Sequence, residues 1–309
     1  MYIYPSCSVD PKKLHAKGAP VAQAMGAPCH LAGDCMKLPD IISVIERIAP
    51  PSIAAAWDHS GMQLASFRQD VSHMAVMLDP TLEGIERAIG AGADFIVTHH
   101  PLSMSPRYPD KADTYLSILS LLLKNEVPLY SAHTSLDANP DGPVRWLGEA
   151  LDLHRISTLE PLPPAAQSAL PQHLRKAEYG FGFTGTLIKP VAYADFCRIL
   201  AGVLGRPEWQ GCGRRPEAVF RVACCPGSGR SVLAAVVAAG ADIFITGDVK
   251  YHTALEALDA GVRILDVGHF ILEEEMIRRF AKFLDLELDI TVTYIPSRDP
   301  LAVEHVPMA

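Results

Sequence analysis

Ala91-Gly92-Ala93-Asp94-Phe95-Ile96-Val97-Thr98 is the stretch on which the reading of this chain turns, because it returns as Ala239-Gly240-Ala241-Asp242-Ile243-Phe244-Ile245-Thr246, at an offset of 148 residues. Each copy reads as a helix closed by glycine that runs into a buried strand, since the apolar run is too short for a helix. The likeness extends upstream without a gap, so that Val76 to Asp79 answers to Cys224 to Gly227, and the intervening helices are expected to match in length. Downstream, Val127-Pro128-Leu129-Tyr130 and Val262-Arg263-Ile264-Leu265 each lead to a histidine with an acid four residues on: His133/Asp137 and His269/Glu273. The expected fold is α/β, with two related halves about a pseudo-twofold, mixed sheets, and a dinuclear metal cleft between them. Ligand sites at the carboxyl ends of strands are the rule for such sheets.

The flanking sequence fits this plan. A helix is expected at 39–49, where Ile41, Ile42, Ile45 and Ile48 keep helical spacing, and a strand at 73–78. Asp79 and Pro80 open a helix, and the strand at Phe95 to Val97 ends in Thr98-His99-His100-Pro101. A helix near 112–125, a strand at Val127 to Ser131 and a helix from Pro143 to Leu151 complete an alternation that points to a parallel type of sheet. Pro161, Pro163, Pro164 and Pro171 lie in a stretch without periodicity, read as a linker over 157–175 between a first half (36–156) and a second (176–309). That second half opens with a strand-like Gly180 to Leu187, a helix near 191–204 and a Gly/Arg-rich loop. Residues 1–35 form no pattern and precede a start-like Met36, so they are read as an irregular extension.

With 49% hydrophobic and 20% charged residues among 309, the chain has the composition of a packed protein. The net charge of −8 comes with scattered lysines and arginines, so no extended nucleic-acid footprint is expected. No apolar run approaches the roughly 18–20 residues of a membrane span, and no secretory signal is visible. Seven cysteines, an odd number without a CxxC pair, suggest a reducing, cytoplasmic setting.

His99, His100, Asp137, His269 and Glu273 are the candidate metal ligands. Imidazole and carboxylate without thiolate suit zinc, iron or manganese at an open site. Adjacent side chains on extended backbone diverge, so two divalent ions are expected rather than one. His269 and Glu273, four apart on a helix, project from one face and can share an ion, and Glu273 has two oxygens with which to bridge a pair. Two such ions against two carboxylates leave about two positive charges in excess, which favours a small anionic substrate. Ion pairs of this kind activate water and stabilise a developing oxyanion, so hydrolysis is the natural reaction class.

His133 can coordinate, hold Asp137 in place or carry protons, and the last two roles are favoured. Lys250, Tyr251 and His252 follow Gly247-Asp248 where the other half has its histidine pair. They either line the cleft, with His252 as a second catalytic proton carrier, or form a solvated helix start capped by Asp248. Cys224 and Cys225 read as core residues in a strand. Gly227-Ser228-Gly229 matches no nucleotide fingerprint.

Through THHP (Thr98 to Pro101), AHTSLDA (Ala132 to Ala138), ITGDVKYH (Ile245 to His252), GHFILEE (Gly268 to Glu274) and RDP (Arg298 to Pro300), the chain resembles the GTP cyclohydrolase I type 2 homologues, also called NGG-interacting-factor-three-like proteins, over about 36–300. The resemblance implies a dinuclear centre held by His99, His100, Asp137, His269 and Glu273, and a toroidal homohexamer whose cavity the sites face. It also implies either a metal-dependent hydrolase, with GTP cyclohydrolase as the named activity, or a metal-binding scaffold acting through partners. His59, Ala65, Phe183 and Pro226 depart from the family's usual residues and are expected at the pocket rim.

Overall fold

Along Met74-Ala75-Val76-Met77 the side chains alternate between two faces of a strand, and all four are buried. A strand of this kind is covered on both sides. In the computed structural model, which describes residues 35–175 and 177–302, it is the fourth strand. The chain runs β1 (Met36–Lys37), α1 (Leu38–Ile48), β2 (Gly61–Leu64), β3 (Asp70–Val71), β4 (His73–Met77), α2 (Leu82–Gly90), β5 (Phe95–Thr98), α3 (Thr114–Lys124), β6 (Leu129–Ser131), α4 (Thr134–Asp137) and α5 (Trp146–Ala150). It continues through β7 (His154–Pro161), α6 (Pro164–Ala169), β8 (Gly180–Ala192), α7 (Tyr193–Leu204), β9 (Gln210–Cys212), β10 (Ala218–Ser228), α8 (Leu233–Ala238), β11 (Ile243–Gly247), α9 (Tyr251–Asp259), β12 (Arg263–Asp266), α10 (His269–Glu287) and β13 (Thr291–Tyr294).

Two mixed sheets carry the fold, ordered β13-β4-β5-β6-β2 and β7-β8-β10-β11-β12-β9. Their centres follow one plan. β4, β5 and β6 are parallel, as are β10, β11 and β12, and an antiparallel strand closes each set, β2 on β6 and β9 on β12. The register repeats the sequence offset: Val76 pairs with Val97 and Cys224 with Ile245. The repeated aspartate has one job in both places, since Asp94 accepts from the amides of Ser72 and His73, and Asp242 from those of Phe220 and Arg221. At the other edge the sheets part, because β13 joins β4 in parallel while β8 joins β10 antiparallel.

The inner faces of both sheets share one core, to which Val76, Val97, Cys224 and Ile245 contribute together with Leu272, Met276, Phe280 and Leu284 of α10. The outer faces are covered separately. Ala75, Met77 and Ile96 pack on residues of α2 and α3, and Ala223, Phe244 and Ile264 on residues of α8 and α9. Helix α10 leaves the six-stranded sheet after β12 and packs against β4 and β13 as well as β10 and β11. It therefore ties the two sheets together.

Several expectations change. The paired helices differ, α2 running for 9 residues while α8 runs for 6 after a 3-10 turn at Gly229–Val232. The proline-rich stretch read as a linker begins within β7, whose pairing with β8 carries on to Pro161 opposite Gly180, and it then holds α6. Proline fits there because β7 is an edge strand. Thr81, not Asp79, caps α2, its hydroxyl accepting from the Gly84 amide. Residues 1–34 of the expected extension lie outside the described residues. Cys35 is disulfide-bonded, which sits against reading every cysteine as a thiol, while Cys197, Cys212, Cys224 and Cys225 are free. Among the described residues no helix is long and apolar enough to cross a membrane.

Phe280 is 1% exposed on α10. Because its ring fills the core shared by the sheets, Phe280→Ala is expected to cost about 3–5 kcal/mol, read as a lowered urea midpoint. A change under about 1 kcal/mol would show that α10 is not the tie between them.

Candidate metal centre

β5 ends at Thr98, but the chain stays bound to β4 because the amides of His99 and His100 donate to the carbonyls of Met77 and Leu78. The His99 and His100 carbonyls are held in turn by the hydroxyls of Ser131 and Thr98. With its backbone fixed on both sides, the bend after Thr98 turns the two imidazoles toward each other, their ring centroids 5.0 Å apart. The divergence expected of neighbouring strand residues does not occur, since these two lie past the strand end. Adjacency therefore gives no argument for two ions.

Each ring is oriented through Nδ1. His99 Nδ1 lies 2.8 Å from the Ala132 carbonyl, His100 Nδ1 2.7 Å from Asp79, His133 Nδ1 2.9 Å from Asp58, and His269 Nδ1 2.7 Å from Asp248. When Nδ1 carries the proton, Nε2 is left as the lone-pair donor, the arrangement that metal-ligating histidines adopt. Glu273 receives three of these nitrogens. Its carboxylate, 5% exposed, has Oε2 2.7 Å from His269 Nε2 and 3.2 Å from His100 Nε2, and Oε1 3.9 Å from His99 Nε2. Asp137, on the short helix α4, has Oδ1 3.6 Å from His99 Nε2. The structure thus brings together His99, His100, Asp137, His269 and Glu273.

His133 joins them by its ring, since His99, His100 and His133 each offer a nitrogen within 4.8 Å of the others, and His100, His269 and a Glu273 oxygen form a second such group. The carboxylate that His133 binds is Asp58, not Asp137. Asp58 also accepts from Ser60 Oγ, Thr134 Oγ1 and the Thr134 amide. His252 is not brought to the cluster; it is exposed on the first turn of α9, in ring contact with Tyr251. The two His/acid segments are also out of step by one residue. Ala132 and Val267 make equivalent bonds to Thr98 and Thr246, yet His133 is one residue beyond the first and His269 two beyond the second. Phe183, expected at the rim, is buried in the core.

Asp58, Asp79 and Asp248 are the functional side chains that sequence reasoning missed. Asp79 and Asp248 were legible as acids beside strand ends, but both looked like helix caps. Asp248 adopts φ +55°, a left-handed conformation that aspartate tolerates better than most residues. Only the need of each ring for an Nδ1 acceptor would have singled the three out.

Among the described residues, the buried His99 Nε2, His269 Nε2, Asp137 Oδ1 and Glu273 Oε2 find no hydrogen-bond partner outside the cluster and face only one another. Such atoms are rare in folded proteins and cluster where an ion is bound. This donor set can hold a metal ion. The second half makes room for it. A Cβ on Gly227, at φ +65°, would meet the Glu273 carboxylate, and one on Gly247 would meet the backbone of His269. A cavity of about 800 Å³ adjoins the cluster, with His100 and His269 in its wall.

Without an ion, protons balance the buried acid. Burial opposes the charged forms of His100 and His269, but hydrogen bonds to Glu273 and to Asp79 or Asp248 outweigh it and lift them to about 10 and about 9. His99 also rises, despite burial, through Asp137 and Glu273. Burial works to raise Glu273 as well, yet the three imidazoles hold it well below the usual carboxylate range. Burial dominates at Asp137 and raises it.

A metal must displace these protons, since His100 and His269 are charged at pH 7 in the metal-free protein. Metal binding at pH 7 is expected to release protons, and affinity to rise with pH up to about 10. Calorimetry in buffers of different ionisation enthalpy reads the release; equal heats in all of them would contradict it. Gly227→Ala should empty the site by pressing on Glu273, with metal content as the readout.

The family model described as Duf34/NIF3 (NGG1p interacting factor 3) matches residues 36–300. A Clostridium perfringens protein named GTP cyclohydrolase 1 type 2 homolog is 31% identical over 266 residues, covering 85% of this chain and 97% of the relative. One of the same name from Streptomyces coelicolor is 32% identical over 242 residues, covering 77% and 81%. The solved structure of a Bacillus cereus protein related to NIF3 superposes with a TM-score of 0.76 at 21% identity, over 87% of this chain and 99% of that one, and supports the fold alone. With a matched span that takes in every residue of the histidine–acid cluster, this chain belongs to the Duf34/NIF3 family.

Proposed function

We propose that this protein is a dinuclear-metal-dependent hydrolase of a small anionic, phosphorylated or nucleotide-like substrate, of the GTP cyclohydrolase I type 2 kind, working as a toroidal homohexamer in the cytoplasm. The observation that carries the reading is the set of buried Nε2 and carboxylate oxygen atoms that face only one another around Glu273, beside a cavity of small-molecule size. Two donor groups that share His100 support metal binding, and imidazole with carboxylate suits zinc, iron or manganese, while the count of two ions rests on the family resemblance. His99, His100, Asp137, His269 and Glu273 would hold the metal. When bound, the pair supplies Lewis acidity and a water of lowered pKa. The relatives' shared name supports the substrate class.

The chain's own residues then have separate tasks. Asp79 and Asp248 hold the His100 and His269 rings, and Asp58 holds His133 with its second nitrogen facing the cluster. An imidazole so oriented can accept a proton from a water and return it to a leaving group. Burial of the Glu273 carboxylate and of Asp137 Oδ1 keeps bulk water from competing for the ligand atoms.

Metal analysis should give about two ions per subunit in the wild type, and His100→Ala with Asp137→Ala should remove them. A screen of phosphorylated metabolites, GTP included, against zinc, manganese and iron forms should find one consumed, with Glu273→Gln inactive. His133→Gln should lower that turnover about 10²–10⁴-fold with the metal retained; loss of an ion would make His133 a ligand. Consumption of no phosphorylated compound in any metal form would favour a metal-binding scaffold that works through partners. Light scattering that gave a mass other than six subunits would remove the ring.

A further inference from the structure

The cavity beside the cluster has one lining arginine, and it has no partner. Arg206, just after the left-handed Gly205 that ends α7, is half-buried, and its guanidinium makes no hydrogen bond or ion pair among the described residues. It is held close to the metal ligands, its Nη1 lying 3.7 Å from where a Cβ on Gly268 would stand, next to His269. The surrounding acids are mostly committed elsewhere. Asp79 and Asp248 orient His100 and His269, Asp266 accepts from the amides of Val249 and Gly268, and Asp299 accepts from that of Leu301. Glu208 is exposed. Trp209 and Phe270 give the same wall flat apolar area.

An arginine in a pocket wall with so many carboxylates nearby would ordinarily pair with one of them. That none is engaged leaves five N–H donors in a planar fork that matches an oxyanion. We propose that Arg206 is the anion-binding residue of this cavity, holding an oxyanion group of a small ligand whose other end reaches His100 and His269. The assignment rests on the hydrolase reading for the identity of that ligand as a substrate. It names the residue that selects for charge and the side from which the ligand enters. A volume of about 800 Å³ is of the size that holds a small molecule beside Trp209.

The test uses the full chain loaded with metal of known content, titrated separately with inorganic phosphate and with acetate as the two sources of oxyanion. The expected result is that Arg206→Gln weakens binding of the better probe at least about tenfold, while metal content and thermal midpoint stay at wild-type values. Arg206→Lys, which keeps the charge but not the fork, should fall between. The probe bound more tightly names the group as phosphoryl or carboxylate. If Arg206→Gln binds both probes as the wild type does, and stripping the metal abolishes binding, the assignment of Arg206 is overturned while the metal-centred reading stands. If the metal-loaded wild type binds neither probe, both fail.

Discussion

Glu273 carries a carboxylate that is almost out of reach of water, and a buried charge of that kind is tolerated only where opposite charge or aimed donors surround it. Three imidazoles do so, from two segments: His99 and His100 after β5, and His269 one helical turn back on α10 itself. Because α10 also fills the core between the sheets, the carboxylate cannot move without disturbing that core. Placement of the cluster and packing of the fold are therefore one constraint. Protons satisfy it in the metal-free protein, and a cation satisfies it with the same atoms once the protons leave.

What makes those atoms available to a cation is the row of acceptors behind the rings. A histidine with neither nitrogen held can turn or change tautomer. Here Ala132, Asp79, Asp58 and Asp248 each take one Nδ1, which leaves the remaining nitrogens to converge. Asp58 is fixed by Ser60 and Thr134, so the His133 ring is positioned through two layers of hydrogen bonds. Asp266, which binds the amides of Val249 and Gly268, fixes the loops on either side of Asp248 and His269 in the same way.

The repeat was legible because strand pairing demands it. Residues that pair Val76 with Val97 must, at a constant offset, pair Cys224 with Ile245, and the capping aspartates follow suit. The five clustered residues were legible because they follow repeated strands, His99 and His100 after β5, Asp137 on α4 after β6, and His269 and Glu273 on α10 after β12. What was not legible depends on contacts between distant segments. The one-residue slip between His133 and His269 arises after β6 and β12, where pairing no longer fixes register. The bend after Thr98 depends on hydroxyls of Ser131 and Thr98, and the strand within the proline-rich stretch depends on its partner β8. Asp58 belongs to a loop 75 residues from the histidine it serves.

The two halves differ where the centre is built, and the difference has a steric cause. At the offset of the repeat, Asp79 and His99 of the first half correspond to Gly227 and Gly247 of the second. The first pair supplies a ring and the acceptor of its neighbour. The second pair supplies nothing but space, since any side chain at 227 would strike the Glu273 carboxylate and any at 247 the backbone of His269. A symmetrical molecule with acid and imidazole at both positions could not admit α10 at its present depth, and without α10 it would lose the carboxylate that gathers the imidazoles. Glycine at these two positions in one half and a helix carrying both a histidine and a glutamate are thus one steric requirement. Asp248, at the position equivalent to His100, holds a histidine where the first half has one.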